Sequence, residues 1–185
     1  MKKLALFLVF ALVLSQFAIV SFASNGTDTV TALKNGFTDI GFTNGYYGFC
    51  VDNDKNGAKT GGGFSAAGDT SGITDNQNNS PIANTLKIMF TQCFDLVFES
   101  DNNGSYKIKN ADTVLQAVIY SYSDPQAYSY MYGDRKVLRD AVDKFIAENP
   151  NFVVPDEGYS ISRGEETITF YFMRLIPEDS NVQDF

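Results

Sequence analysis

Between Gly45 and Val51 apolar and small residues alternate, so that Tyr46, Gly48 and Cys50 share one face of an extended segment and Tyr47, Phe49 and Val51 the other. This pattern predicts a strand carrying Cys50. The same period returns late in the chain, where Ile168, Phe170 and Phe172 alternate with Thr167, Thr169 and Tyr171, and predicts a second strand paired with the first. Between these ends the period is helical. Ile82, Leu86, Met89, Phe90, Cys93 and Val97 follow helical spacing behind Pro81, a residue suited to a first turn. Asp112 reads as the N-cap of a short helix closed by Pro125, which puts Gln116 in its first turns. Asp134 opens a third helix with the apolar row Val137, Leu138, Ala141, Val142, Phe145 and Ile146, ending at Asn149-Pro150. Ser24 to Thr43, with the near-repeat Gly36-Phe37-Thr38 and Gly41-Phe42-Thr43, reads as a lead-in strand and turn, and Asn53 to Ser80 as a long aperiodic loop. The sum is an α+β fold: an antiparallel β-sheet or sandwich built from the two ends of the chain, with a helical subdomain inserted at about 81–149.

The first residues carry a different signal. Lys2-Lys3, an apolar run from Leu4 to Val20 and small residues at Ser21 and Ala23 read as a secretory signal peptide over 1–23, cleaved after Ala23. The expected product is a secreted or cell-surface chain, 24–185, with no membrane insertion after cleavage and the length of one monomeric domain. A net charge of −8 in 185 residues argues against nucleic acid or anionic lipid as a partner. The absence of histidine excludes Ser-His-Asp and Cys-His nucleophiles and His-ligated metals. No cofactor is expected. Asp52-Asn53-Asp54-Lys55-Asn56-Gly57 matches the opening of an EF-hand loop, but its twelfth position is Gly63 and no helical pattern flanks it, so it reads as a turn and no metal is expected. Asn25, Asn78 and Asn103 head glycosylation sequons. Tyr120, Tyr122, Tyr128, Tyr130 and Tyr132 cluster in the sequence, as either a binding surface or edge packing.

Two cysteines in an exported chain ordinarily form a disulfide, here Cys50–Cys93. The flanks of Cys50 and Gln116 offer another pairing. Gly45-Tyr46-Tyr47-Gly48-Phe49-Cys50 and Thr113-Val114-Leu115-Gln116-Ala117-Val118-Ile119-Tyr120 resemble the aromatic-Cys and Thr-Gln-x-x-Ile-Trp motifs of the thioester domains of Gram-positive and archaeal surface adhesins. The resemblance extends over about Gly36 to Phe185. Where that family has Thr before the Gln and Trp four residues after it, this chain has Leu115 and Tyr120.

The resemblance implies an internal thioester between Cys50 and Gln116. It also implies shielding and support from Phe49, Tyr120 and Asp124, and single-turnover covalent bonding rather than enzymatic catalysis. The partner it implies is an amine-bearing surface target, a protein lysine or a polyamine. It further places a closing strand and stalk after Phe185. The alternative is a non-covalent carbohydrate- or protein-binding module held by the Cys50–Cys93 disulfide.

Overall fold

A computed structural model describes residues 29–36, 38, 40–43, 45–51, 55–67, 69–101, 105–126, 128, 130–182 and 184–185. The signal segment 1–23, the sequons at Asn25 and Asn103, and Asp52, Asn53 and Asp54 of the calcium-like run lie outside the described residues. The chain is α+β, with antiparallel strands from its two ends and helices from its middle.

The first half supplies β1 (Thr29–Thr31), β2 (Ile40–Gly41), β3 (Tyr47–Gly48) and β4 (Gly63–Ala67). Then come α1 (Ala83–Gln92), α2 (Phe94–Val97), β5 (Phe98–Ser100) and β6 (Tyr106–Ile108). A π-helical turn (Ala111–Leu115) runs directly into α3 (Gln116–Ser123), followed by α4 (Gly133–Glu148). The hairpin β7 (Tyr159–Arg163) and β8 (Glu166–Phe170) and finally β9 (Arg174–Pro177) complete the order.

The strands that carry the site form a closed circuit of backbone pairing. β3 pairs with β2, β2 touches β1 through the Ala32–Phe42 bridge, β1 pairs with β4, and β4 with β9. Leu175 of β9 exchanges both backbone hydrogen bonds with Phe185 (2.7 and 3.0 Å), and the neighbouring Asp184 carbonyl accepts the Val51 N–H at 3.1 Å. Val51 is three residues past β3, so the ring closes on the segment it started from. Closure leaves this small sheet few open edges. Its interior is Val30, Ile40, Phe42, Cys50, Phe64, Leu175 and Phe185, all buried. Phe42, Phe64 and Phe185 meet edge to face at 5.2, 5.7 and 5.5 Å between ring centres, the arrangement aromatic quadrupoles prefer.

Two expected strand relationships are corrected here. The alternating run Thr167–Phe172 does not pair with the Cys50 segment. Its residues up to Phe170 belong to β8 of a local hairpin with β7, through the tight turn at Gly164 (φ 61°), and Tyr171 and Phe172 lie past the strand. The regular strand before Cys50 is also shorter than the pattern predicts, because its partner changes from β2 to Asp184 within three residues. The aperiodic stretch after Asn53 hides β4, the central strand of its sheet. At Gly63 the Glu178 carboxylate fills the space a side chain would take, and the strand's small-residue composition conceals it.

Between β4 and β9 the β5–β6 hairpin lies within the expected 81–149 insertion, and the β7–β8 hairpin follows it. Its core is Leu86, Met89, Cys93, Leu115, Val118, Ile119, Leu138, Val142 and Val154. The first predicted helix begins at Ala83 rather than Pro81, which sits in a bridge to Thr74, and it breaks at Cys93. In α4 only Leu138 and Val142 of the predicted row are fully buried, while Val137 is 54% exposed.

Gly48 shows how tightly the ring holds the Cys50 segment. A Cβ at this position would lie 2.7 Å from the Phe42 ring and 3.1 Å from Phe185 Cβ. Gly48→Ala is therefore expected to cost about 1–3 kcal/mol through overpacking, read as a fall of several degrees in melting temperature. An unchanged midpoint would mean that the aromatic ring stack yields freely.

Candidate functional site

Cys50 is fully buried, at 0% exposure, in the sheet core, whereas its neighbour Phe49 turns the other way and packs on Phe90 with ring centres 5.6 Å apart. The alternation read from the sequence holds across these two residues. Phe49 thus anchors the segment in the helical core from the face opposite Cys50. Asp184, tied to Arg174 by an ion pair with Nε–Oδ2 at 2.9 Å, holds the next residue through the Val51 N–H. Ring packing before Cys50 and a charge-fixed backbone bond after it leave the cysteine little freedom.

Gln116 arrives from the helical side. Asn110, left-handed at φ 45° and ψ 43°, starts the π turn, and its carbonyl accepts the N–H groups of Val114 at 2.8 Å and Thr113 at 3.2 Å. Asparagine tolerates this conformation better than most residues. The helix therefore starts at Asn110, and Asp112 is an exposed first-turn residue rather than the N-cap. Gln116 donates its backbone N–H to Ala111 O, and the unpaired N–H end begins at Asn110 rather than at Asp112. A π turn is an uncommon wide turn, frequent at functional sites, and here it sets the rotation at which Gln116 enters the core.

The two residues meet. Gln116 is 4% exposed, and its Nε2 donates to the backbone carbonyl of Cys50 at 2.7 Å. That contact also fixes the amide orientation, since a flipped amide would face oxygen to oxygen. The other half of the amide, Oε1, is buried and has no hydrogen-bond partner among the described residues. A buried acceptor left unpaired costs about 1–3 kcal/mol, and such groups call for a chemical explanation.

Tyr120, one turn after Gln116, joins the sheet core with Cys50 and is 6% exposed. Its ring stacks obliquely on Tyr128, with centres 5.0 Å apart. Asp124, also buried, links the two tyrosines through its backbone: its N–H bonds to the Tyr120 carbonyl at 2.7 Å and its carbonyl accepts the Tyr128 N–H at 3.1 Å. α3 therefore spans both cores, with Val118, Ile119 and Tyr122 in the helical cluster and Tyr120 in the sheet cluster.

The far face of α3 is clamped. The Arg139 guanidinium lies 3.6 Å from the centre of the Tyr122 ring and donates to the Ser121 carbonyl at 2.9 Å, while Tyr122 Oη donates to Asp143 at 2.8 Å. Burial, with that bond to the carboxylate, raises the Tyr122 pKa and keeps the phenol protonated.

Cys93 plays a different part. It lies in the helical core between α1 and α2, in a different cluster from Cys50, and neither cysteine is in a disulfide. Burial pushes its thiol pKa up to about 11, which leaves it a protonated, weakly nucleophilic core residue at neutral pH.

Of the site residues read from the sequence, Cys50, Gln116, Tyr120 and Asp124 converge, and Phe49 supports them from the opposite side. The sequence reading missed Asn110 with its π turn and the Asp184–Phe185 segment that lines the Cys50 strand, and named Tyr128 only as one of a tyrosine cluster. Asn110 alone carried a usable signal, as an Asn at a helix boundary. Among the described residues no cluster of acidic or thiol side chains could hold a metal. Comparison of the chain with protein-family models, curated proteins and solved structures finds no match in any of the three.

Proposed function

We propose that this is an exported surface-binding domain in which Cys50 and Gln116 form an internal thioester that captures amines covalently. The observation that carries the reading is the buried Gln116 amide, its nitrogen held by the carbonyl of Cys50 and its oxygen without a partner. The amide carbon is one bond from that nitrogen and the sulfur two bonds from the Cys50 Cα, and the burial of both residues supports a bond between them. In the formation step the Cys50 sulfur attacks the Gln116 carbonyl carbon and the C–N bond breaks. The nitrogen leaves as ammonia, carrying the thiol proton.

A thioester carbonyl is a weaker hydrogen-bond acceptor than an amide, so the change also lessens the penalty of the unpaired Oε1. An incoming amine reverses the logic: it bonds to the acyl carbon and Cys50 leaves as a thiol. No histidine is needed at either step, which suits a chain with none. The rival module held by a Cys50–Cys93 disulfide is disfavoured by the placement of the two cysteines in separate cores.

Intact mass tests the reading directly. Freshly purified, never-reduced protein is expected about 17 Da lighter than its sequence mass, against about 2 Da for a disulfide. A mass equal to that of the unmodified sequence overturns the proposal.

A further inference from the structure

A cavity of about 270 Å³ opens on the opposite side of the Cys50 segment, walled by Phe49, Phe90, Phe98 and Phe172. Phe90 is the centre of this wall, with ring centres 5.6 Å from Phe49 and 6.4 Å from both Phe98 and Phe172. The volume is near the low end for small-molecule sites, about 300 Å³, and suits a single- or fused-ring group.

The mouth differs from the wall. Tyr46, Tyr47 and Tyr171 line it, with Tyr47 67% and Tyr171 46% exposed. The Phe172 N–H bonds the Asp156 carbonyl at 2.7 Å, which ties the segment carrying the exposed Glu157 to the residue after Tyr171. The Tyr46 phenol registers this acidic surrounding: burial first, then Tyr171 and Glu157, raise its pKa. Lys87 is the cation among the lining residues and does not oppose a positive ligand, because its Nζ is bound to Asp156 Oδ1 at 2.9 Å. Thr70 Oγ1 donates to the same carboxylate oxygen at 2.6 Å. Burial raises the Asp156 pKa, but the bonds from Thr70 and Lys87 and the ammonium charge outweigh it and hold the group below the ordinary carboxylate value. An anionic ligand would have to displace this built pair.

We propose that this cavity binds small arylalkyl amines, with the ring among Phe49, Phe90, Phe98 and Phe172 and the ammonium at the mouth against Tyr46, Tyr171 and Glu157. Aromatic faces and a nearby carboxylate attract a cation together, and the net charge of −8 favours its approach. The site does not depend on the thioester, since neither Cys50 nor Gln116 lines it.

The chain has no tryptophan, so the fluorescence of an indole ligand reports on the ligand alone. Tryptamine, neutral 3-methylindole and anionic indole-3-propionate are titrated with the protein. Tryptamine is expected to bind saturably and at least about threefold tighter than either of the others, as one partly exposed charge contact allows. Glu157→Gln, an exposed change, should remove that preference and leave 3-methylindole binding as it was. Ala83 lines the cavity, and Ala83→Phe should fill it and weaken all binding more than tenfold in protein that keeps its circular dichroism spectrum. Equal affinities for the three indoles, no saturable binding, an undiminished preference in Glu157→Gln, or full binding by folded Ala83→Phe would each overturn the proposal.

Discussion

Methylamine should add once to the wild-type protein and release a titratable thiol at Cys50, and Cys50→Ala and Gln116→Ala should each incorporate none. The effect is complete loss, not a reduction, because each substitution deletes one half of the reacting bond. The same variants should abolish any complex with an amine-bearing surface that survives boiling in detergent and reductant. The bond holding such a complex is an amide at Gln116, which neither condition breaks.

Rate carries further information. The site is closed, with Cys50 at 0% and Gln116 at 4% exposure, so water and amines must enter through a local opening. Tyr120 shares the sheet core with Cys50 and has Tyr128 stacked on it, and in the proposed function this pair shields the bond. Tyr128→Ala should therefore speed both methylamine addition and hydrolysis, while Tyr120→Trp, with a larger ring in the same place, should slow both. If Cys50→Ala binds cells or matrix as the wild type does, and detergent releases both, covalent capture is not the function.

How much of this was legible in the sequence depended on whether a residue's neighbours are near or far along the chain. The helices at Ala83–Gln92 and Gly133–Glu148 were readable because their apolar period is a local property. The Cys50–Gln116 approach was readable only because each residue sits in a recognisable short run. β4 was not, since Gly61-Gly62-Gly63 and Ser65-Ala66-Ala67 give no alternating apolar signal. Its strand character comes from β1 on one side and β9 on the other, more than a hundred residues away. The pairing of Thr167–Phe172 was misassigned for a related reason: alternation predicts a strand but not its partner, and the nearest partner, β7 across a tight turn, is the one formed. The π turn escaped because Asp112 is a good N-cap residue type, while the position of the helix start is fixed by the left-handed Asn110.

Cys50→Ala and Gln116→Ala should destabilise the domain by similar amounts, and the double mutant should lose little more than either. A thioester between them closes a loop with a sequence separation of 66 residues. The loop-entropy treatment used for disulfides gives on the order of 4 kcal/mol for a closure of that length, with bond strain subtracting from it. The geometry adds a reason to expect a cooperative effect, because the bond would join the sheet core that holds Cys50 to the helical core that holds most of α3. Without it the two cores are joined at this point by the packing of Tyr120 and, where Gln116 is kept, by its hydrogen bond to the Cys50 carbonyl, so the single mutants should also lose coincidence between probes of the sheet and of the helices during unfolding. Chemical denaturation of the four proteins, followed by tyrosine fluorescence and far-ultraviolet circular dichroism, measures both effects. The expected coupling between the two sites is nearly the whole of either single loss. Additive losses would mean that Cys50 and Gln116 contribute separately, as a buried thiol and a buried amide, and share no bond.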